Sequence, residues 1–197
     1  MRTRVNARVP RYNRIAHDYD AMYGAECGVM HRLVLAEIDD RDLAPGTVLD
    51  VGCGTGALLE LLARRLPAAG LTGADPSEGM IRRARARLPS ARFVVCGAEA
   101  LDVDDGAIDL VVSTTSFGQW ADQAAGLREV RRVLRPDGTG VVIEHRLPSL
   151  LKRLIYRLPD LATPDTMVGM VRDAGLVVHD QRVVGDDYLV TVVGRRR

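Results

Sequence analysis

The stretch Asp50-Val51-Gly52-Cys53-Gly54-Thr55-Gly56 closes the apolar run Thr47–Val51 and leads into a helical pattern that begins near Ala57. Its three alternating glycines let the backbone adopt conformations that side chains would block, and they let a ligand approach the main chain closely. The acid two positions before the first glycine lies at the carboxyl end of the predicted strand, where it can accept hydrogen bonds from a cationic or hydroxylated ligand. The stretch therefore predicts a strand, a glycine-rich turn and a helix that together bind a ligand.

A second acid points to the same site. Asp75 follows the next apolar run, Leu71–Ala74, and comes nineteen residues after Gly56. This is close to the spacing at which a doubly wound fold presents a carboxylate to ribose hydroxyls. The competing interpretation is an acid that only caps the helix after Pro76-Ser77. Together the two signals predict a ligand that contains an adenosine-like ribose.

Strand-like runs alternate with helical ones along the chain, which is the pattern of a mostly parallel sheet covered on both faces. Ser77 and Asp122 are the predicted N-caps, and Arg135-Pro136-Asp137-Gly138 is the predicted turn before the fifth strand. The predicted strands are Thr47–Val51, Leu71–Ala74, Arg92–Val95, Ile108–Ser113 and Gly140–Glu144, and the predicted helices are Ala57–Leu66, Ser77–Leu88 and Gln123–Leu134.

The pattern changes after the fifth strand. An apolar stripe at helical spacing spans Leu150–Leu158, with basic side chains on the opposite face. Binding to a membrane surface and packing over the site or the sheet both account for it, and the sequence leaves the two open. Farther on, Thr163-Pro164 and Gly175 mark the start and the end of a helix. Leu176–Val184 and Tyr188–Val193 predict a closing hairpin.

Composition limits the class of protein. The chain has 197 residues and a formal net charge of +1, which fits one domain and argues against a nucleic-acid footprint. The three cysteines, Cys27, Cys53 and Cys96, have no CxxC spacing and suit a reducing compartment. No apolar stretch reaches the roughly 20 residues of a membrane helix, and the Arg-rich start lacks an apolar signal core. We expect a cytoplasmic protein without an integral membrane segment.

The same motifs resemble those of the class I S-adenosylmethionine-dependent methyltransferases, in particular the small-molecule group that includes quinone-biosynthesis enzymes. VLDVGCGTGALLELLA (48–63) is similar to the first motif of the family and GADPSEGMIRRAR (73–85) to the second. The later segments occur in the family's order: CGAEAL (96–101) on the adenine side, DLVVSTTSFGQWAD (109–122) after the fourth strand, and LREVRRVLRPDGTGVVIE (127–144). YNRIAHDYD (12–20) resembles the leader that closes over the cofactor.

The resemblance implies a fold and an activity. The implied fold is a Rossmann-like, doubly wound, mostly parallel seven-stranded sheet with an antiparallel last strand, in one domain over residues 1–197. Residues 1–40 would form a helical leader over the cofactor and residues 146–165 a substrate-side insertion. The implied activity is in-line transfer of a methyl group from S-adenosyl-L-methionine to an oxygen, nitrogen or carbon atom of a small-molecule acceptor, which leaves S-adenosyl-L-homocysteine.

The resemblance also implies roles for individual residues. Asp50 would hold the amino acid end of the cofactor, Asp75 would accept from both ribose hydroxyls, and Phe117 would form an aromatic wall beside the sulfonium. The other residues implied to bind the cofactor are Gly52, Cys53, Gly54, Gly56, Pro76, Met80, Ala98, Glu99, Ser113 and Thr114, and in the leader Tyr12, His17 and Tyr19. Packing alone is the competing interpretation for Met80 and for Trp120, and an ordinary surface helix is the competing interpretation for the leader.

The sequence departs from the family at two places. Gly97 stands where relatives commonly have an acid that accepts from the adenine amino group, which leaves the Ala98 amide and the Glu99 side chain for that role. No histidine lies near Gly118 or Gln119, so a familiar polar contact to the substrate is missing. These departures leave open, as an alternative, a non-catalytic sensor or partner subunit that binds the cofactor.

His145, directly after the fifth strand, is the candidate base or substrate ligand, although a histidine at a strand end is often only a satisfied polar residue. A further alternative, a nicotinamide-dependent oxidoreductase, is disfavoured because the turn reads G-x-G-x-G rather than G-x-G-x-x-G. No Tyr-x-x-x-Lys pair supports that alternative either.

Overall fold

The computed structural model describes residues 8–146, 163–185 and 187–196. The strands are β1 Thr47–Val51, β2 Gly70–Asp75, β3 Arg92–Val95, β4 Ile108–Thr114, β5 Leu134–His145, β6 Leu176–Val184 and β7 Tyr188–Arg195. The helices are α1 Val9–Ile15, α2 Tyr19–Asp40, α3 Ala57–Arg65, α4 Glu78–Arg87, α5 Gln123–Val133 and α6 Pro164–Asp173. None of these helices is long and apolar enough to cross a bilayer.

The strands form one seven-stranded sheet in the order β3-β2-β1-β4-β5-β7-β6. The strands from β1 to β5 pair in parallel, whereas β7 runs antiparallel to both β5 and β6. This arrangement confirms the predicted fold class, including the antiparallel last strand. The strand order reverses between β1 and β4, and ligands of open α/β sheets bind at the carboxyl ends of the strands at such a point.

The sheet separates two apolar layers. Alternate residues of β1 enter different layers, since Leu49 packs with α5 and α6 while Val48 packs with α2, α3 and α4. Both Val48 and Leu49 are buried, as expected for a parallel sheet that is covered on both faces. Five helices thus cover the two faces of the sheet. The edge at the carboxyl ends of the parallel strands remains available for a site.

The sequence predicts a turn at Arg135-Pro136-Asp137-Gly138 between the helix and the fifth strand, and this prediction is wrong. Instead, β5 begins at Leu134, which pairs with Ile108, and the next pair along is Thr139 with Leu110. Between these two pairs β5 contains more residues than β4 does. The extra residues of β5 therefore form a bulge inside the strand. Leu134 is fully buried and anchors the start of the strand in the core.

The predicted helix caps are confirmed. Ser77 Oγ accepts from the Met80 N–H at 3.2 Å, and Asp122 Oδ1 accepts from the Ala125 N–H at 2.9 Å. Thr163 Oγ1 caps α6, and Gly175 follows it with a φ of +77°. The predicted helix at Leu150–Leu158 and most of the 146–165 insertion lie outside the described residues.

The leader, here residues 8–40, is fastened to the sheet domain by several side-chain contacts, two sets of which lie beside the glycine-rich turn and the start of α4. Asn13 Oδ1 accepts from the Ser77 hydroxyl at 2.7 Å and from the Gly79 N–H at 2.9 Å. A Cβ on Gly79 would lie 3.0 Å from the Asn13 backbone, so the glycine permits this close approach. In the second set, Asp20 accepts from the Thr55 hydroxyl at 2.6 Å and from the Arg87 guanidinium at 2.6 Å. The leader is therefore held directly beside the glycine-rich turn.

Candidate functional site

A cavity of about 400 Å³ lies at the carboxyl edge of the sheet, where the loops after β1, β2, β3 and β4 meet the leader. Ten residues predicted to bind the cofactor line it: Tyr12, Tyr19, Gly52, Gly54, Asp75, Pro76, Met80, Ala98, Glu99 and Thr114. The sequence motifs, which are far apart along the chain, thus converge on one space.

Four other predicted residues lie behind the cavity wall. Asp50, Cys53, Ser113 and Phe117 are buried but do not line the cavity. The Cys53 sulfur packs against Gly73, where a Cβ would lie 2.8 Å away, and burial raises the pKa of its thiol well above the ordinary value. Cys53 is therefore a small, buried residue of a tight turn.

Three further predicted residues are placed elsewhere. Gly56 packs against α4, where a Cβ would lie 3.1 Å from the Ala84 side chain. His17 is largely exposed and lies 3.6 Å from Asp18. The His145 imidazole lies 3.2 Å from a carboxylate oxygen of Glu26 and is outside the cavity lining. Their roles toward a ligand remain predictions.

The glycine-rich turn is shaped by positive backbone angles. Gly52, Gly54 and Gly56 have φ values of +80°, +52° and +79°, which side chains rarely allow. A Cβ on Gly52 would lie 2.3 Å from the Ser116 side chain, so the absence of a side chain lets the β4 loop pack against the turn. A Cβ on Gly54 would meet no atom within 4 Å, and this glycine therefore exposes the backbone to the cavity.

Asp75 links the turn to the start of α4. One carboxylate oxygen accepts from the Gly54 N–H at 3.0 Å and the other from the Ser77 N–H at 2.8 Å. Burial raises the pKa of Asp75 to about 6, although these two donors oppose the shift. Each carboxylate oxygen has room for a second donor. The helix cap itself is Ser77, so capping alone does not account for a carboxylate that lines the cavity.

The carboxyl group of Asp50 is buried and incompletely hydrogen-bonded. Within the described part of the chain, its Oδ1 is the one buried side-chain oxygen or nitrogen without a hydrogen-bond partner. Burial, helped by the charge of Asp75, raises the pKa of Asp50 to about 8. Burying a polar group without a partner is costly, and a cationic group bound next to Val51 and Gly52 would relieve that cost.

The β4 loop, residues 115–120, forms the opposite wall. Thr115 has a φ of +53°, an uncommon angle for a residue with a branched side chain. The Ser116 hydroxyl donates to the Val51 carbonyl at 2.7 Å and accepts from the Trp120 indole N–H at 3.3 Å. The rings of Phe117 and Trp120 meet edge to face with centroids 5.0 Å apart. The aromatic face toward the cavity belongs to Trp120, with Phe117 packed behind it.

Glu144, which sequence reasoning missed, supports this loop from β5. Its carboxylate accepts from the Phe117 N–H at 2.8 Å, and the neighbouring backbone N–H groups of Ser116 and Gly118 also act to lower its pKa. Burial raises the pKa of Glu144 to about 7 against the effect of these donors. The available signal was an acid that closes the apolar run Val141–Ile143 at a strand end facing the site.

The leader closes the cavity from above. The Tyr12 hydroxyl donates to the side-chain oxygen of Gln119 in the β4 loop. Tyr12 also meets Tyr19 edge to face, with ring centroids 6.2 Å apart. The other lining residues are Val9 and Val95, which lie outside the motif segments quoted above, and ten residues that lie inside those segments: Val51, Ser77, Cys96, Gly97, Ala100, Thr115, Ser116, Gln119, Trp120 and Ala121.

Glu99 folds across Gly97 at the end of the cavity next to β3. One of its oxygens accepts from the Asp122 N–H at 2.9 Å. The other oxygen would lie 2.4 Å from a Cβ on Gly97, so the glycine makes room for the carboxylate. Among the described residues, no three His, Cys, Asp or Glu side chains are grouped to hold a metal ion.

Comparison with known proteins agrees with this geometry. The profile of a family described as "Methyltransferase domain" matches residues 48–138. A demethylmenaquinone methyltransferase from Thermus thermophilus is 36% identical over 157 residues, which cover 75% of this chain and 70% of that protein. A malonyl-[acyl-carrier protein] O-methyltransferase from Geobacter sulfurreducens is 41% identical over 130 residues, covering 64% of this chain and 48% of that protein.

A solved chain from the complex of the Haloferax volcanii Trm112 methyltransferase activator with a methyltransferase has a similar fold. Its TM-score is 0.76 at 24% identity, over 94% of this chain and 98% of that chain. The chain belongs to the class I S-adenosylmethionine-dependent methyltransferases, and S-adenosyl-L-methionine is the cofactor of that family. The chain spans about half the length of the malonyl-[acyl-carrier protein] relatives that it matches.

The site fits that cofactor. The unpartnered Asp50 oxygen suits a cation, the spare acceptor positions of Asp75 suit vicinal hydroxyls, and the open backbone at Gly54 admits a closely bound ligand. The cofactor carries a sulfonium, an ammonium and a ribose diol, so its polar groups match the groups of the cavity in kind.

Proposed function

We propose that this chain transfers the methyl group of S-adenosyl-L-methionine to an oxygen, nitrogen or carbon atom of a small-molecule acceptor. The bound cofactor supplies a methyl group on a positively charged sulfur. The acceptor's electron pair forms the new bond to the methyl carbon as the carbon–sulfur bond breaks, and the electron pair of that bond stays on sulfur. The observation that carries the proposal is the buried, unpartnered Asp50 oxygen beside a cavity at the switch point of the sheet.

The cofactor half of the cavity would bind through the turn and its two acids. Asp50 would attract the ammonium of the amino acid end, while Gly52 and Gly54 would let the backbone lie against it. Asp75 would accept from the two ribose hydroxyls, which are charge-assisted hydrogen bonds and therefore strong. Asp75 is already fixed by the N–H groups of Gly54 and Ser77, so little side-chain entropy is lost on binding.

The adenine would lie between Met80 and the Ala98–Glu99 segment. We propose that the Glu99 carboxylate accepts from the adenine amino group, a role that a side chain at Gly97 would otherwise fill. Two observations support this assignment: Glu99 lines the cavity, and its position is set by the Asp122 N–H. The carboxylate occupies the space next to Gly97 from which such a side chain would grow.

The acceptor half would be formed by the leader and the β4 loop. Val9, Tyr12, Tyr19 and Trp120 give it an apolar and aromatic lining, which favours an apolar or planar acceptor and excludes water from the displacement. An aromatic face also attracts a sulfonium, and the geometry gives that role to Trp120, with Phe117 as its support. The hydrogen bond between Tyr12 and Gln119 closes this half over the reactants.

The need for a base depends on the acceptor. No histidine lines the described part of the cavity, so a nucleophile that is already anionic fits the lining best. For an acceptor that carries a proton on the reacting atom, we propose that His145 takes the proton, with Glu26 at 3.2 Å to orient the imidazole. The two relatives described above are named for a malonyl thioester and a quinone precursor, and these are the first acceptor classes to test.

The test is calorimetric titration with S-adenosyl-L-methionine, with S-adenosyl-L-homocysteine and NADH as comparators, followed by methyl transfer to a naphthoquinol and to a malonyl thioester. We expect binding of the two sulfur compounds, none of NADH, and methylation of at least one acceptor class. Binding without transfer to a broader acceptor panel would favour the non-catalytic sensor or partner subunit. Binding of NADH alone would favour the oxidoreductase.

A further inference from the structure

We propose that Glu144 is the positioning residue of the acceptor half: its carboxylate holds the β4 loop in the conformation that presents Gln119 and Trp120 to the cavity. The acceptor-side consequence rests on the proposed methyl transfer, whereas the hold on the loop does not. Glu144 itself does not line the cavity, so it acts through the loop rather than on a ligand.

In the β4 loop, backbone N–H groups lie on the side of the Glu144 carboxylate, and backbone carbonyls have other partners. The Phe117 N–H donates to Glu144 at 2.8 Å, and the N–H groups of Ser116 and Gly118 lie close enough to lower the pKa of its carboxyl group. The carbonyls point the other way: Gln123 donates to the Phe117 carbonyl at 3.1 Å, and Arg8 lies 3.5 Å from the Gly118 carbonyl. A backbone N–H that donates to a buried carboxylate forms a strong, charge-assisted hydrogen bond, and the two neighbouring N–H groups also favour the ionised carboxylate.

The loop conformation is one that needs such support. Thr115, directly before the three donors, has a positive φ of +53°, which is costly for a β-branched residue. The loop must also bring the Ser116 side chain against Gly52, where a Cβ on the glycine would lie 2.3 Å away. Glu144 is therefore the counterpart that stabilises a strained loop packed against the glycine-rich turn.

Protonation of Glu144 weakens this arrangement, because a neutral carboxyl gains a donor hydrogen and loses acceptor strength toward three N–H groups. Burial and these donors account for its pKa of about 7, without a contribution from a charged side chain of the described residues. The titratable and charged groups around the loop include Arg8 and Tyr12 from the leader, Cys27 on α2, Asp50 on β1, and His145 on β5 with its neighbours Glu26 and Tyr188. A pH experiment must separate Glu144 from these groups.

The chain contains one tryptophan, Trp120, and its indole N–H donates to Ser116 in this loop. Its fluorescence therefore reports the loop directly. We expect the emission of the unmodified protein to change with pH, with a midpoint near 7, the pKa of Glu144, and we expect His145→Gln to retain the change. Glu144→Gln is expected to abolish the change and to show the low-pH emission throughout, since the amide turns N–H groups toward the three donors.

Two outcomes would overturn the proposal: no change in Trp120 emission across this pH range, or a Glu144→Gln protein that folds and keeps the change. If Glu144→Gln does not fold, amide NMR of the unmodified protein decides. The N–H signals of residues 116, 117 and 118 are then expected to titrate together, and independent midpoints or unchanged shifts would contradict the assignment.

A final measurement distinguishes this proposal from the proposed function. With an acceptor that the unmodified protein methylates, Glu144→Gln is expected to lower turnover roughly tenfold or more, because a displaced β4 loop aligns the acceptor less well. The dissociation constant of the cofactor is expected to change less than about threefold. An unmodified protein that binds no S-adenosyl-L-methionine would refute the proposed function and leave the fluorescence result standing. A loss of cofactor affinity equal to the loss of turnover would make Glu144 a general structural residue.

Discussion

The two halves of the cavity are built in different ways. The proposed cofactor half consists of short loops that follow parallel strands, and Asp75 in it is fixed by backbone N–H groups of these loops, those of Gly54 and Ser77. The acceptor half is assembled from the leader and the β4 loop, which meet through side chains such as Tyr12 and Gln119. A half built from local backbone is specified by a short motif, whereas a half built from distant side chains is not.

The strongest test of this contrast is Asp75→Asn. The amide cannot replace two charge-assisted acceptors, so we expect cofactor affinity to fall by roughly a hundredfold, since hydrogen bonds to charged groups contribute about 1.5–3 kcal/mol each. Isothermal titration calorimetry measures the change. The matched control is Asp102→Asn, because Asp102 pairs with Arg92 at 2.9 Å on the exposed surface and should leave affinity unchanged. Equal effects in the two variants would contradict the ribose assignment.

The next test concerns the proton on Asp50. Its pKa is raised to about 8 from an ordinary value of 3.8, so the folded chain holds this proton more tightly than the unfolded chain. The contribution of Asp50 to the free energy of unfolding therefore decreases as pH rises from about 4 to about 8. A bound cation favours the ionised carboxylate and lowers its pKa, so cofactor binding near neutral pH should release a proton.

Calorimetry of cofactor binding in buffers with different ionisation enthalpies measures this proton release directly. Because binding releases a proton, we expect cofactor affinity to increase several-fold, and at most about tenfold, for each unit by which the pH rises toward 8. Asp50→Asn should remove the buffer dependence and weaken binding. An unchanged proton count in Asp50→Asn would assign the release to another group, with Asp75, whose pKa is about 6, as the first candidate.

A smaller effect is expected where the leader joins the sheet domain. Asn13→Ala removes the acceptor for the Ser77 hydroxyl and the Gly79 N–H, and an unpartnered donor at a helix start costs about 1–3 kcal/mol. We expect the leader to detach more often, so that proteases cut it faster and cofactor affinity falls roughly threefold to tenfold. Asn13→Asp keeps the acceptor and is the conservative control. Faster proteolysis with unchanged affinity would show that the leader does not cover the cofactor.

The same contrast explains which features the sequence predicted. The Asp50–Gly56 turn and the caps at Ser77 and Asp122 were predicted correctly because a few neighbouring residues determine each of them. Glu144 was missed because its hydrogen-bond partner, the Phe117 N–H, belongs to a loop far away in sequence. The bulge in β5 was missed because Pro136 and Gly138 signal a turn locally, while pairing with β4 keeps the chain in the sheet.

The smallest effect is expected for His145, the base predicted from sequence, which the structure places outside the cavity lining beside Glu26. For His145→Gln we expect cofactor affinity within about twofold of the unmodified protein, since the imidazole is outside that half of the cavity. Turnover of a naphthoquinol acceptor should fall roughly tenfold, which is less than the 10²–10⁴-fold usual for a fully engaged base. Turnover of the malonyl thioester, whose reacting carboxylate is already anionic, should not change. Steady-state kinetics with both acceptors measures this difference. An equal loss for the two acceptors would make His145 a structural partner of Glu26, and the acceptor half would then use no base from the described part of the chain.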